Sequence, residues 1–346
     1  MTQTTKTAKR PIGCVRVLAI ISAIVILLTL RACFLRPATN YTGSHFNRGR
    51  NAAWLGVEWV MEPHTIEEIR ALANDLRTRQ ITTIFVYVSY LKPNGIFNPT
   101  YDHAREFVSD LRQAAPELDV QAWLGVPVKA PPGYPLSSGY IDLADDQIQN
   151  TIVEFSRLVV NDLGFNGVHL DSEPILTGNV AMLALLDKVR AALGPQVRLS
   201  IATSEITPFF PEADLIVNRW FTWRADYYRE IAKRVDQIAV MTYDSHAPFG
   251  FWYEMWMHHQ VLNLTNSLSD TSAQIFMGVP TSEEHSTSHD PAAENMATGL
   301  RGLLAGLNDL DAKPDKVTGV AIYPYWETSD DEWTTYREVW LGQSEQ

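Results

Sequence analysis

Residues 165–174 read FNGVHLDSEP, a short apolar strand that carries His169, Asp171 and Glu173 at alternate positions. Alternate positions share one face of a strand, roughly 6 to 7 Å apart per step, so three ionisable side chains point the same way. The stretch lies between two helical patterns, Asp145–Leu163 before it and Asn179–Leu193 after it. A strand so flanked is ordinarily buried on both faces, and ionisable groups there need a reason. The spacing marks a functional site; the alternative is a solvated edge strand.

Working outward, strand-like and helix-like segments alternate. Candidate strands are Trp54–Val60, Thr82–Tyr90, Val120–Val126, Gly167–Glu173, Val197–Thr203, Gln237–Tyr243, Gln274–Val279 and Gly319–Tyr325. Helical patterns fall between them at Thr65–Arg79, Tyr101–Ala115, Asp145–Leu163, Asn179–Leu193, Arg224–Val235, Trp252–Leu268 and Pro291–Leu307, with a last one at Asp330–Leu341. Repeated βα units of this number predict an α/β fold, a (β/α)8 TIM barrel. A doubly wound sheet would also alternate, but it ordinarily shows a Gly-rich phosphate loop after an early strand, and none is present.

Barrel enzymes place reactive groups at the C-terminal ends of strands. The fourth strand ends in Asp171 and Glu173, the sixth in Met241, Tyr243 and Asp244, and the eighth in Tyr323, Tyr325 and Trp326. The first ends near Glu58 and Trp59, the second in Tyr87 and Tyr90. Each aromatic alone is ordinary packing. Together on one rim, flat aromatic faces beside carboxylates make a sugar-binding cleft, walled by the Lys129–Tyr140 and Glu205–Trp223 segments.

Charge is divided unevenly. The first 50 residues hold eight Lys and Arg and no acid, leaving 20 basic against 40 acidic residues over the other 296. A body that acidic repels phosphate backbones, so nucleic acid is excluded as a partner. The basic leader contains an uncharged run, Val17–Leu30, VLAIISAIVILLTL, which extends to Ile12 if Arg16 snorkels. That length suits a single membrane-spanning anchor or a signal-peptide core. The expected organisation is a leader and membrane segment over 1–35, a polar tether over 36–51 and the barrel over 52–342. The body is expected to be membrane-anchored outside the cytoplasm; secretion after cleavage, or a lipoprotein modified at Cys33 of Leu30-Arg31-Ala32-Cys33, is the alternative. Cys14 and Cys33 both lie in the leader, and a thiol-free body suits an oxidising exterior.

At this point the chain resembles glycoside hydrolase family 18, the chitinase-like barrels. The family's fourth strand carries DGxDxDxE, matched here by Asn166-Gly167-Val168-His169-Leu170-Asp171-Ser172-Glu173, and its sixth strand often ends in MxYD, matched by Met241-Thr242-Tyr243-Asp244. The openings VQAWLGVP (Val120–Pro127) and GVAIYPYW (Gly319–Trp326) extend the likeness over the body. Asn166, His169 and Ser172 depart from the pattern, and Tyr323 stands where Trp is common, which points to a divergent subgroup.

The resemblance implies a glycoside hydrolase acting on β-linked glycans with a 2-acetamido sugar, by a substrate-assisted retaining mechanism that departs from the two-carboxylate rule. It implies Glu173 as general acid and then base, Asp171 orienting the acetamido group, and Tyr243 with Asp244 steadying it. Met241, His169, Tyr323, Tyr325, Trp326, Glu58 and Trp59 are expected to bind substrate, and neither metal nor organic cofactor is required. A protonated His169 is expected to bond Asp171 and keep it ionised; its alternative is a buried histidine satisfied by a neighbouring strand. Three rival readings stand beside this one. They are a two-carboxylate glycosidase with Glu283 or Glu284 as nucleophile, a metal hydrolase using His169, Asp171, Glu173 and His246, and a non-catalytic carbohydrate binder.

Overall fold

The structure, a computed structural model, describes residues 21–24, 43–135, 138–207 and 222–343. Eight parallel strands close into a barrel: β1 (Asn51–Leu55), β2 (Ile81–Tyr90), β3 (Asp119–Pro127), β4 (Gly167–Glu173), β5 (Arg198–Thr203), β6 (Gln237–Val240), β7 (Gln274–Pro280) and β8 (Val317–Tyr323). Neighbours follow chain order, and β8 returns to pair with β1. A helix follows each strand: α1 (Ile66–Thr78), α2 (Ala104–Ala114), α3 (Asp146–Asn161), α4 (Val180–Leu193), α5 (Ala225–Ala232), α6 (Gly250–Ser267), α7 (Met296–Leu307) and α8 (Asp330–Thr335), the last continued by a π-type turn over Tyr336–Trp340.

Local chemistry starts the helices where the chain leaves the strands. Thr65, Asn295 and Ser329 form reciprocal capping boxes at α1, α7 and α8, and the side chains of Asp145 and Asn179 cap α3 and α4. The strands are nearly continuously apolar because both faces are covered. Their outward residues pack on the helices in one large core, while Ala52, Trp54, Phe85, Trp123, Ala239, Phe276 and Ala321 fill the barrel itself.

The seam between β8 and β1 is closed by Asn51. Its Oδ1 accepts from Val320 N at 3.2 Å and from Trp340 Nε1 at 2.8 Å, and its Nδ2 donates to Gln80 O at 3.1 Å. Gly43 lies against Trp340, so the described body begins at the end of the barrel opposite the strands' C-termini. Of the apolar leader run, only 21–24 are among the described residues, as helix; the rest of 1–42 lies outside them. Among the described residues no helix is long and apolar enough to cross a membrane.

The first and last strands sit earlier than the sequence pattern predicts. β1 is Asn51–Leu55, not Trp54–Val60, and Glu58–Met61 forms a one-turn helix. β8 ends at Tyr323, because Pro324 has no N–H to continue the ladder.

Helices α6 and α7 approach closely through glycine. A Cβ at Gly302 would stand 2.5 Å from Glu254 O and 2.7 Å from Met257 Cβ, and one at Gly306 2.6 Å from Val261 Cβ. Gly302→Ala is therefore expected to cost about 1–3 kcal/mol through overpacking, read as a lower denaturant midpoint at unchanged slope; an unchanged midpoint would show that the helices can separate freely.

Candidate active site

Parallel register sets the site. His169 lies across from Trp123 on β3 and Ser200 on β5, and Asp171 lies across from Gly125. His169 is fully buried and both its ring nitrogens are engaged. Trp54 Nε1, which can only donate, reaches His169 Nε2 at 3.1 Å, so the ring proton resides on Nδ1. Nδ1 then donates to Ser200 Oγ at 2.7 Å, and Ser200 donates to Gln121 Oε1 at 2.6 Å. The Gln121 amide passes the chain to Gln237 and Asp119, and Gln237 donates to Gln274 Oε1 at 3.0 Å. Phe85 stacks on the imidazole at 3.8 Å.

The expectation that a protonated His169 bonds Asp171 is thereby overturned. Burial pushes the imidazole down to about 3, and its partners lie beneath the site rather than in it. The buried-histidine alternative holds. Its engaged nitrogens leave no lone pair for a metal, and among the described residues no group of three or more His, Cys, Asp or Glu could hold one.

Asp171 is held by Trp123, whose Nε1 donates to Oδ2 at 2.8 Å. Oδ1 is buried without a partner among neutral protein donors, and a protonated Glu173 is the hydrogen-bond partner left to this carboxylate. Enclosure in the cleft, then the negative charge of Asp171, hold the Glu173 carboxyl well above the usual range. Asp244 and Glu205 add to the same upward push. Solvent still reaches Glu173 through the cleft mouth, which weakens the dehydration part but leaves its direction unchanged. Burial also raises Asp171, while the bonds from Glu173 and Trp123 pull it back. The two carboxyls therefore share a proton readily, with Glu173 the better holder.

Around this pair opens a cleft of about 810 Å³ whose lining includes Glu58, Tyr87, Tyr90, Trp123, Tyr140, Tyr323 and Trp326. Gly125 leaves room for it: a Cβ there would meet Tyr87 Oη and Tyr90 Cβ at 3.2 Å. Among the described residues, those that line the cleft include no Lys, Arg or His. Tyr134, on the expected wall segment, is raised by burial and by the charge of Glu173.

Of the residues singled out in sequence, Glu58, Tyr87, Tyr90, Asp171, Glu173, Tyr323 and Trp326 meet in the cleft. Tyr243 stacks on Tyr323 at 4.8 Å and is pushed up by burial and by the charges of Glu173 and Asp171. Asp244 adopts a left-handed backbone, φ 61°, and accepts from Ser288 Oγ at 3.0 Å. Met241 is half-buried and bonds through its backbone to Thr203 O.

Two residues turn away. Trp59 lies on the one-turn helix, stacks on His64 at 4.5 Å and packs on Phe107 outside the cleft. Tyr325 bonds Asp75 and Arg79 of the α1 end, because the short turn after Pro324 rotates it outward. Glu283 and Glu284 are exposed and neither lines the cleft nor stands among the groups that shift Glu173. The carboxylate that does so from beyond β4 and β6 is Glu205, just past β5, nine-tenths buried and itself raised by burial. Trp123 and Glu205 were unassigned in sequence; Trp123 sits at the inward-facing phase of VQAWLGVP, the one signal that marks it.

Trp123→Phe removes the donor to Asp171 and is expected to raise the Asp171 titration, read by carboxyl ¹³C NMR; an unmoved titration would show that Trp123 does not hold it. For His169, nitrogen NMR is expected to show a neutral ring protonated at Nδ1 at pH 5, where an exposed histidine is charged. Its lowered value means that the unfolded chain takes up this proton first, so stability falls as pH drops from about 6.5 toward 3. An imidazolium at pH 5 would contradict the assignment.

A comparison with curated proteins finds no match. Among solved structures, the chain is similar to a class V chitinase from Pseudomonas fluorescens Pf-5, with TM-score 0.54 and 14% identity over 84% of this chain and 99% of that one. It is also similar to the Bacillus cereus spore cortex-lytic enzyme SleL, TM-score 0.53 and 14% identity over 84% and 74% of the two chains. A mutant plant class V chitinase from Cycas revoluta in complex with (GlcNAc)3 matches at TM-score 0.51 and 11% identity, over 84% of this chain and 98% of that one. Likeness at such identities speaks to the fold. The profile "Glycosyl hydrolases family 18" matches residues 60–343. A closed (β/α)8 barrel and a match over most of its length assign this chain to glycosyl hydrolases family 18.

Proposed function

We propose that the chain is a glycoside hydrolase that cleaves β-linked glycans containing a 2-acetamido sugar by a substrate-assisted, retaining mechanism. The observation that carries this reading is the β4 pair: Glu173 favoured in its protonated form beside Asp171, in a cleft walled by aromatic rings. Glu173 protonates the glycosidic oxygen as the bond to the anomeric carbon breaks. The substrate's own acetamido oxygen closes on that carbon, forming an oxazolinium ion. Asp171 takes the acetamido N–H and balances the positive charge, using the oxygen that Trp123 leaves unpaired. Glu173, now ionised, removes a proton from the water that opens the ring and so returns to its starting state.

Tyr243 and Asp244 steady the acetamido group in this scheme, and Trp326, Tyr323 and Tyr90 offer ring faces to sugars. The (GlcNAc)3 bound to the Cycas revoluta chitinase mutant agrees with this substrate class. The positions of Glu283 and Glu284 outside the cleft lining count against the two-carboxylate reading.

We infer an anchor at Val17–Leu30, supported by the length of its uncharged run, with the barrel outside the cytoplasm, supported by the absence of cysteine from residues 51–346.

Fluorogenic β-linked N-acetylglucosamine oligomers, given to the full chain and to Glu173→Gln, test the proposal. Turnover is expected to fall by about 10²- to 10⁴-fold in the variant. Because Glu173 acts protonated and its value is raised, wild-type activity is expected to extend toward neutral pH and to fall as pH rises through that value. Binding of the oligomers by wild type without turnover would instead identify a non-catalytic carbohydrate binder, and absence of both would remove the 2-acetamido class.

A further inference from the structure

Segment 244–246, which follows β6, is bonded to the loop between β7 and α7 at every residue. His246 N donates to Ser288 O at 2.9 Å and Ser288 Oγ to Asp244 Oδ1 at 3.0 Å. The main contributor is Glu294, which is fully buried. Its Oε2 accepts from Asp244 N at 2.8 Å, and its Oε1 accepts from Ser245 N at 3.0 Å and Ser245 Oγ at 2.6 Å. These bonds sit where the backbone is left-handed, with φ 61° at Asp244 and 57° at His246, a conformation uncommon outside glycine and held here by the bonds from the neighbouring loop.

Glu294 has a fourth partner. His289, 6% exposed, presents Nδ1 to Glu294 Oε2 at 3.1 Å and Nε2 to Ser282 O at 3.0 Å. A carbonyl oxygen can only accept, so Nε2 donates. Three further donors already use the Glu294 oxygens as acceptors, so Nδ1 is assigned as a donor as well, which makes the ring an imidazolium.

We propose that His289 and Glu294 form a buried ion pair that clamps Asp244 in place, so that the glycan site is fully assembled only while His289 holds its proton. Both are positioning residues; the proposal rests on Asp244 serving the site described above. The titratable and charged groups around the pair are Asp244 and His246 on the β6–α6 loop, Glu205 past β5, Tyr253 on α6, and His285 with Asp290, 3.6 Å apart. Burial works against the charged imidazole, but Glu294, the Ser282 carbonyl and Asp244 outweigh it and raise His289 above the usual value. With the folded-state value raised, the clamp is complete below the ordinary histidine pKa and is lost as pH rises through the raised one. Above it, a ring-nitrogen lone pair faces a carboxylate oxygen.

The test compares the full chain with His289→Asn and His289→Ala. Asparagine places an amide donor near the Nδ1 position and does not titrate; alanine removes the donor. In wild type, the backbone amide signals of Asp244 and Ser245 are expected to titrate together with the His289 ring nitrogens. In His289→Asn those amides should ignore pH over that range. On N-acetylglucosamine oligomers, His289→Ala is expected to lose on the order of 10- to 100-fold in kcat with a smaller change in KM. His289→Asn should retain most turnover and lose one of the two ionisations that shape the alkaline limb, keeping that of Glu173. A neutral His289 ring at pH 6, amides of Asp244 and Ser245 indifferent to its titration, or a wild-type pH profile in His289→Ala would overturn the clamp. If wild type turns nothing over, the catalytic reading fails by itself, and the amide titration still decides the clamp.

Discussion

A neutral histidine at the centre of the barrel is the constraint on which the rest depends. His169 accepts from Trp54 on β1 and donates to Ser200 on β5, and the chain of bonds runs on through Gln121, Gln237 and Gln274 to β3, β6 and β7. Six of the eight strands are thus pinned by one directed series of polar side chains. Each donor and acceptor has an assigned place, and a buried network of this kind tolerates little slippage, since a one-residue shift would strand every member. The register fixed here sets the height of Asp171 and Glu173, one and two steps further along the same face of β4.

Above that layer the chemistry changes from neutral to anionic. Asp171, Glu173, Glu205, Asp244 and Glu294 form a series in which each carboxyl lies within electrostatic reach of the next. Crowded carboxyls in a poorly solvated space cannot all ionise, and the fold distributes the protons unequally. Donors are spent on particular members: Trp123 on Asp171, Ser288 on Asp244, and two backbone amides with His289 on Glu294. Among the described residues no cation or amide supports Glu173 in this way, so the proton falls to it. The division of roles therefore comes from where donors stand, in side chains that are chemically alike.

The barrel was legible because each strand is bounded by a helix signal: alternating elements, capping residues such as Thr65 and Asn295, and apolar runs buried on both faces. Asp171, Glu173, Tyr243 and Asp244 were legible because two short motifs sit at strand ends. Trp59 and Tyr325 show the limit. Both follow strands at the active rim, yet the chain has left extended geometry there, and a one-turn helix and a tight turn rotate the side chains outward. Period-two alternation assigns faces only while the strand lasts. Glu205, His289 and Glu294 were missed for a related reason: their partners lie 32 to 89 residues away or depend on a loop path that no local pattern encodes.

By itself the sequence determined which elements form, their parallel order and the identity of the β4 carboxylates, because these follow from hydrophobic periodicity and from side-chain alternation along one strand. Tertiary structure alone decided protonation and partnership: that His169 is neutral and faces the floor, that Trp123 holds Asp171, and that a histidine and a glutamate from the β7 loop grip Asp244. Those outcomes depend on burial and on distances between residues far apart in the chain. The dielectric surroundings and the donors that set a proton's position exist only once the barrel has closed.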